Sequence, residues 1–225
     1  MDKADISAEL DWRARDVPVS RRFDDPYFSL ENGLDEARHV FLAGNRLPER
    51  FTPGFHVAEL GFGTGLNLLA TLQLWRATGQ AGQLRFTSFE AFPMQGAGMR
   101  RAHAAFPELS ELSEELSDLW ETGRFKTPAL TVEIIEGDAR KTLPEWGGFA
   151  DAWFLDGFSP AKNPELWEPA LMAEVFAQTN PGGTAATYTA AGFVRRGLEA
   201  AGFAVSRIGG YGRKRHMTRA ERITP

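Results

Sequence analysis

Cysteine is absent from the 225 residues. That excludes disulfides, thiolate nucleophiles and cysteine-bound metals, and it agrees with a reducing compartment. The four histidines, His39, His56, His103 and His216, are scattered without metal-ligand spacing, so each reads as structural or exposed and no metal is expected. No apolar run approaches the roughly 20 residues that span a bilayer. The N-terminal MDKADISAELDWRARD is charged where a signal peptide would be apolar. Internal repeats, low-complexity tracts, a Walker loop and a serine-nucleophile motif are all missing. These absences leave a soluble, cytoplasmic chain with no membrane partner.

What is present suits one compact unit: 43 % hydrophobic residues, enough for a sizeable core. Charge is uneven. Between Arg195 and Pro225 eight basic residues face only Glu199 and Glu221, so this stretch carries +6 and the rest −11 against a total of −5. Such a segment is either a solvated tail or a local field for a polyanion, and composition leaves the two even.

Patterning alternates strand and helix. Residues 55–60, 84–90, 130–137, 149–156 and 184–189 read as strands, and 66–75, 96–106, 109–121, 165–178 and 191–202 as helices, with Pro181-Gly182-Gly183 a turn and a closing strand pair after residue 203. The 109–121 stretch carries an acidic face that would repel phosphate. This order predicts an α/β fold, a doubly wound and mostly parallel sheet with an antiparallel closing strand. Ligands of such sheets bind beyond the carboxyl ends of the strands, where the strand order reverses. The glycine stretch, Glu90, Asp138 and Asp156 all fall at those ends.

ELGFGTGLNLL places Gly61, Gly63 and Gly65 behind Glu59. A dinucleotide loop expects its third glycine one residue later, which disfavours an NAD-dependent oxidoreductase. With an acid ahead and Glu90 ending the next strand, the loop reads instead as a cradle for S-adenosyl-L-methionine, in a Rossmann-like class-I methyltransferase. Glycines admit the amino-acid end, and a carboxylate at Glu90 can accept both ribose hydroxyls. Asp138 either accepts the adenine amino group or caps the helix that follows it. Asp156-Gly157-Phe158-Ser159-Pro160 ends the fourth strand and resembles the acceptor loops of N-methyltransferases. There Asp156 would attract an amine and help remove its proton, and Phe158 would wall the pocket and favour cations.

Taken together, DDPYFSLENGLDEARHVFLAGNRLPERF, ELGFGTGLNLL, FTSFEAFP, DAWFLDGFSPAKNPELW, PGGTAATYTAAGFVRRGLEAAGF and GYGRKRHM closely resemble the methyltransferase half of the bifunctional enzymes that make 5-methylaminomethyl-2-thiouridine in tRNA. The resemblance covers most of residues 20–217. It implies methyl transfer to the amine of 5-aminomethyl-2-thiouridine at the wobble position. It also implies that Tyr27, Phe28, Ser29 and Asn32 belong to a block closing over cofactor or acceptor, or else to a helix-capping segment. Residues 1–50 then form an N-terminal extension over the site, and 51–225 the methyltransferase domain. Arg213, Lys214 and Arg215 would meet phosphates of the anticodon arm. Ala91 departs from the family pattern, which leads one to expect a lysine. The family's bifunctional members continue into a flavin-dependent oxidase; nothing in this stretch resembles it, so FAD is not expected to bind and the oxidase is separate or fused elsewhere. Competing readings are a small-molecule amine methyltransferase and a non-catalytic tRNA-binding module.

Overall fold

The computed structural model describes residues 7–29 and 31–223; residues 1–6, which open the N-terminal stretch read above for a signal peptide, lie outside them. The chain begins with a small antiparallel sheet of β1 (Leu10–Arg13), β2 (Val17–Ser20) and β3 (Asp25–Pro26). Asn32 then caps α1 (Gly33–Ala37), its side chain accepting from the Asp35 amide, and the helix widens into a π turn over Arg38–Ala43. The central elements follow in the order β4 (His56–Leu60), α2 (Leu66–Ala77), β5 (Leu84–Glu90), α3 (Gly96–His103), α4 (Ser110–Glu115), β6 (Arg124–Lys126), β7 (Leu130–Glu136), α5 (Ala139–Glu145), β8 (Ala150–Leu155), α6 (Pro169–Ala177), β9 (Thr179–Thr187), α7 (Gly192–Ala201), β10 (Ala204–Gly209) and β11 (His216–Glu221).

The large sheet has the order β10-β11-β9-β8-β4-β5-β7-β6. Strands β7, β5, β4, β8 and β9 run parallel, while β11 is antiparallel to both its neighbours and β6 is antiparallel to β7. The chain moves outward from β4 through β5 to β7, then returns to β8 beside β4 and moves outward the other way. The crevice between β4 and β8 is therefore the switch point. Side chains alternate across the sheet with period two. Val57, Phe86 and Phe154 join α1 and α2 in one core, and Ala58, Phe89, Trp153 and Leu155 join α5, α6 and α7 in the other. Leu34, Phe41, Leu47 and Phe51 are buried in the first of these.

Three elements differ from the sequence reading for local reasons. The helix anticipated over residues 165–178 is interrupted: Glu168 is extended (ψ 144°), as a residue before proline tends to be, and α6 restarts at Pro169. The Pro181-Gly182-Gly183 turn lies inside β9 as an irregularity, because pairing with β8 jumps from Ala150 opposite Thr179 to Ala152 opposite Thr184. The helix anticipated over 109–121 is α-helical only in α4, flanked by single 3-10 turns at Pro107–Leu109 and Trp120–Thr122, yet Leu112, Leu116 and Trp120 remain buried. Strands β1 to β3 and β6 were not signalled, being two to four residues long.

Arg50 ties the segment before β4 to β8 and β9. Its guanidinium donates to Asn45 O, Thr184 Oγ1, Asp151 O and Gly182 O at 2.6–3.2 Å. Arg50→Met would leave these acceptors unpaired and is expected to cost about 2–4 kcal/mol. Denaturant unfolding checks this; a loss under about 0.5 kcal/mol would show that water replaces the guanidinium.

Candidate active site

A cavity of about 700 Å³ opens over the carboxyl ends of β4, β5, β7 and β8. The strand ladders extend one residue beyond these ends and hold the floor in place: Gly61 donates to Phe89 O (2.9 Å), Gly137 to Glu90 O (2.8 Å) and Asp156 to Leu60 O (3.1 Å).

Two glycines of the loop after β4 have a specific need to be glycine. Gly61 has φ +87°, and a Cβ there would lie 2.2 Å from the Asp156 carbonyl oxygen. Gly63 has φ +54°, and its Cβ would lie 3.0 Å from the Tyr27 ring. Gly65 sits behind the lining against Met99 and Phe62 and leads into α2. The loop is braced from beneath by His103, whose Nε2 is 2.6 Å from Thr64 O while its Nδ1 pairs with Ser113 Oγ. Burial holds that imidazole below the ordinary histidine range, hence neutral.

Glu90 lies at the end of β5 and is 9 % exposed. Its Oε2 accepts from the Gly63 amide (2.9 Å) and its Oε1 from the Phe92 amide (2.8 Å). The Phe62 and Ala91 amides also bear on this carboxylate. Burial outweighs the backbone donors and lifts this carboxyl above the usual range. Glu59 does not line the cavity. It is wholly buried beneath it, taking hydrogen bonds from Asn67 Nδ2 and Ser88 Oγ, each 2.8 Å. Burial and the nearby Asp156 charge push its carboxyl well above the usual range.

The same Asn67 amide also donates to Asp156 Oδ2 at 2.7 Å, so one side chain bridges the two acids. Asp156 is half-buried at the cavity floor. Desolvation is the main cause of a carboxyl pushed up to about 7; Glu36 adds to it, and Asn67 and Lys214 oppose it. Beyond it an aromatic wall forms: Phe158 stacks on Phe23 (4.8 Å between centroids) and meets Tyr27 edge-on (5.0 Å). Asp25 fastens this wall by accepting from the Ser159 amide (2.9 Å). Phe28 turns away from Phe158 to pack on Phe106 (5.0 Å), while Ser29 lies on the rim.

Asp138 lines the cavity and caps α5, accepting from the Arg140 amide at 3.0 Å. The Arg140 side chain also clasps it (2.7 Å from Nη2 to Oδ2), which holds its carboxyl below the usual range. Arg213 and Lys214 stand at the mouth, paired with Glu31 (3.1 Å) and Glu36 (2.7 Å); Arg215 and the capping Asn32 lie off the lining. Sequence reasoning missed Phe23, Glu36, Asn67, Arg140 and Tyr188, all of which line the cavity. Asn67 was the most findable, a polar residue in the first turn of a helix whose other residues up to Ala70 are leucine or alanine. Among the described residues no cluster of histidine and acids is arranged to hold a metal ion, and no helix is long and apolar enough to cross a membrane.

The floor suits S-adenosyl-L-methionine on its own geometry: a glycine loop with Gly61 and Gly63 on the cavity lining, and a carboxylate at the end of β5 beside it. Comparison with known proteins agrees. A family described as S-adenosyl-L-methionine-dependent methyltransferase matches residues 107–223. The tRNA 5-methylaminomethyl-2-thiouridine biosynthesis bifunctional protein MnmC of Pseudomonas aeruginosa is 47 % identical over 223 residues, 93 % of this chain and 34 % of that protein. Its Aeromonas hydrophila counterpart is 44 % identical over 96 % of this chain and 35 % of its own length. The chain thus spans about a third of these curated relatives. The crystal structure of MNMC2 from Aquifex aeolicus superposes with a TM-score of 0.79 at 28 % identity, covering 97 % of this chain and 72 % of that one. TrmN from Thermus thermophilus shares the fold at a TM-score of 0.55 and 20 % identity, over 92 % of this chain and 54 % of its own. The family match takes in just over half of the chain, including Asp156 and the strands that flank it, and so the protein belongs to the S-adenosyl-L-methionine-dependent methyltransferases.

Proposed function

We propose that the chain methylates the primary amine of 5-aminomethyl-2-thiouridine at the wobble position of tRNA, giving 5-methylaminomethyl-2-thiouridine. The observation that carries this reading is the position of Asp156, whose backbone packs against Gly61 and whose carboxylate reaches a cavity walled by Phe23, Tyr27 and Phe158. The MnmC relatives, tRNA 5-methylaminomethyl-2-thiouridine biosynthesis proteins, support the choice of acceptor.

S-adenosyl-L-methionine, when bound, supplies a methyl group on a sulfonium. Gly61 and Gly63 present backbone to its amino-acid end, and Glu90 accepts from the ribose hydroxyls. Asp138, with both oxygens engaged by the Arg140 amide and guanidinium, borders the adenine side as part of that pair. The segment from Phe23 to Ser29 closes over the site. An alkylamine resembles lysine, with a pKa of about 10.4, so at neutral pH only about one molecule in a thousand has the free lone pair that attack requires. Asn67 holds Asp156 Oδ2, which leaves Oδ1 to take the proton. A carboxyl at about 7 recovers roughly three of the six powers of ten that separate an amine from an ordinary aspartate. The wobble base must leave the loop stack to reach this depth, which costs least in a single-stranded loop.

The decisive experiment incubates the protein with isotopically labelled S-adenosyl-L-methionine and tRNA bearing unmethylated 5-aminomethyl-2-thiouridine, followed by nucleoside mass spectrometry. A labelled methyl on the wobble nucleoside is expected; label elsewhere, or none, sinks the reading. Arg213, 92 % exposed at its side chain, and its neighbour Arg215 are assigned to anticodon-arm phosphates. Replacing both with alanine should flatten the slope of log affinity against log salt by about 1.5. An unchanged slope would remove them from the RNA surface. A flavin-dependent oxidase, fused or separate, is the inferred partner that unmasks the aminomethyl group, and a tRNA substrate sets the work in the cytoplasm.

A further inference from the structure

Lys214 lies across the cavity mouth, its side chain 45 % exposed but its ammonium engaged. Its Nζ lies 2.7 Å from Glu36 Oε1 and 4.1 Å from the centroid of the Tyr188 ring. The Glu36 side chain is only 14 % exposed. The Tyr188 hydroxyl donates to Gly157 O at 2.8 Å, which fixes the ring beside Asp156. A carboxylate facing the flat side of an aromatic ring is a receptor for an alkylammonium. The end of a lysine side chain and the aminomethyl group of the acceptor are the same chemical object, a CH₂–NH₃⁺.

We propose that Glu36 and Tyr188 form the subsite that receives the acceptor's ammonium, and that Lys214 fills it until the acceptor displaces it. This rests on the reading of the cavity as an amine-methylation site. The exchange is close to balanced, because the incoming ammonium regains the ion pair and the ring face that the outgoing one gives up. The loop that carries Lys214 is held by few contacts to the rest of the fold. It joins β10 to β11 through Gly210 and Gly212, the latter at φ +57°, and is closed on itself by the Lys214 amide on Tyr211 O (3.0 Å) and the Gly210 amide on Arg215 O (3.3 Å). It is tied to the segments either side of α1 by the exposed pair of Arg213 with Glu31 and by His39 Nε2 against Gly209 O (3.0 Å). An exposed pair of that kind contributes little. Once displaced, Lys214 stands between Arg213 and Arg215, where a phosphate would meet it. A neutral uridine side chain has no charge to offer in exchange, so the device selects for an amine carried on a polyanion. The bound ammonium then passes a proton to Asp156 and becomes the neutral nucleophile; after transfer the product nitrogen carries the methyl and the positive charge. The negative field this requires is present, since burial and the charges of Asp156, Asp25 and Glu36 raise the Tyr188 hydroxyl above its ordinary value.

The test uses the full chain and n-propylammonium chloride as probe, with sodium chloride at equal ionic strength as control. In Lys214→Ala the emptied subsite should bind the probe and raise Tm by about 3–5 °C at tenfold its dissociation constant. The wild type, already filled, should not respond, nor should Lys214→Ala combined with Glu36→Gln. An absent shift in Lys214→Ala, or one that persists with Glu36→Gln, overturns the subsite. Titration with 5-aminomethyluridine and its neutral 5-hydroxymethyl counterpart tests the acceptor. Lys214→Ala should bind the amine at least tenfold more tightly than wild type and leave the alcohol unchanged; equal changes for both overturn the exchange. A wild-type protein that methylates no tRNA, while Lys214→Ala still responds to n-propylammonium, would sink the functional reading and spare the subsite.

Discussion

Asp156→Asn is expected to lower methyl transfer by about 10²–10⁴-fold while leaving the affinity for S-adenosyl-L-methionine within about threefold of wild type. The amide keeps the volume and the hydrogen bond from Asn67 but cannot take a proton. Below pH 7 the wild-type rate should rise about tenfold per pH unit as Asp156 ionises, and level off above it; the variant should show no such inflexion. Stability should move the other way. The folded carboxyl titrates at about 7 and the unfolded one near 3.9, so the folded state binds the proton more tightly. That advantage is complete below about pH 4 and is lost as pH rises through 7. Asparagine carries no such dependence. The variant should therefore gain on wild type between pH 4 and 8, reaching roughly 2–4 kcal/mol, the lower figure allowing for the carboxyl's partial exposure to the cavity. Denaturant unfolding across that range measures it. Equal losses of cofactor affinity and turnover would show that Asp156 holds the cofactor and not the amine.

The parts of the site that were legible in the sequence are those set by neighbours along the chain. Gly61, Gly63, Glu90 and Asp156 follow directly on strands, so the apolar alternation of β4, β5 and β8 fixes which edge they occupy. The mostly parallel sheet follows from the same alternation of strand and helix. What was not legible depends on meetings between distant residues. Lys214 and Glu36 are 178 positions apart, and no spacing rule says which acid a base will find. Ser159 and Asp25, 134 apart, close the aromatic wall in the same way, and Phe23 reaches the site beside that fastening. Glu59 misled for the opposite reason. Its place before the glycines suggested a cofactor ligand, but a side chain on the last turn of a pleat alternates with its neighbours, and Ser88 and Asn67 draw it beneath the floor. The anticipated helix over residues 165–178 failed on a single residue, because apolar periodicity runs through Pro169 while the backbone before it cannot.

Gly61→Ala tests whether the cofactor loop and the acceptor carboxylate are built as one piece. Two costs act together at this position. A side chain at φ +87° is strained by about 1–3 kcal/mol. The new methyl would also lie 2.2 Å from the Asp156 carbonyl oxygen, a backbone atom that cannot rotate aside, and relieving such overlap costs a further 1–3 kcal/mol or so. At about 2–4 °C per kcal/mol for a chain of this length, Tm should fall by roughly 10 °C. Gly79→Ala separates the two costs. That glycine also has positive φ (+62°), but nothing lies within 4 Å of the space its Cβ would fill, so only the strain of about 1 kcal/mol remains. The excess at Gly61 must be relieved by moving β4's loop away from β8, which breaks the register of the Asp156 amide on Leu60 O (3.1 Å). Any Gly61→Ala protein that still folds should therefore lose cofactor affinity and turnover together, whereas Asp156→Asn loses turnover alone. If Gly61→Ala matched Gly79→Ala in stability and kept full activity, the loop and the carboxylate would be independent and the shared floor would not be what positions the amine.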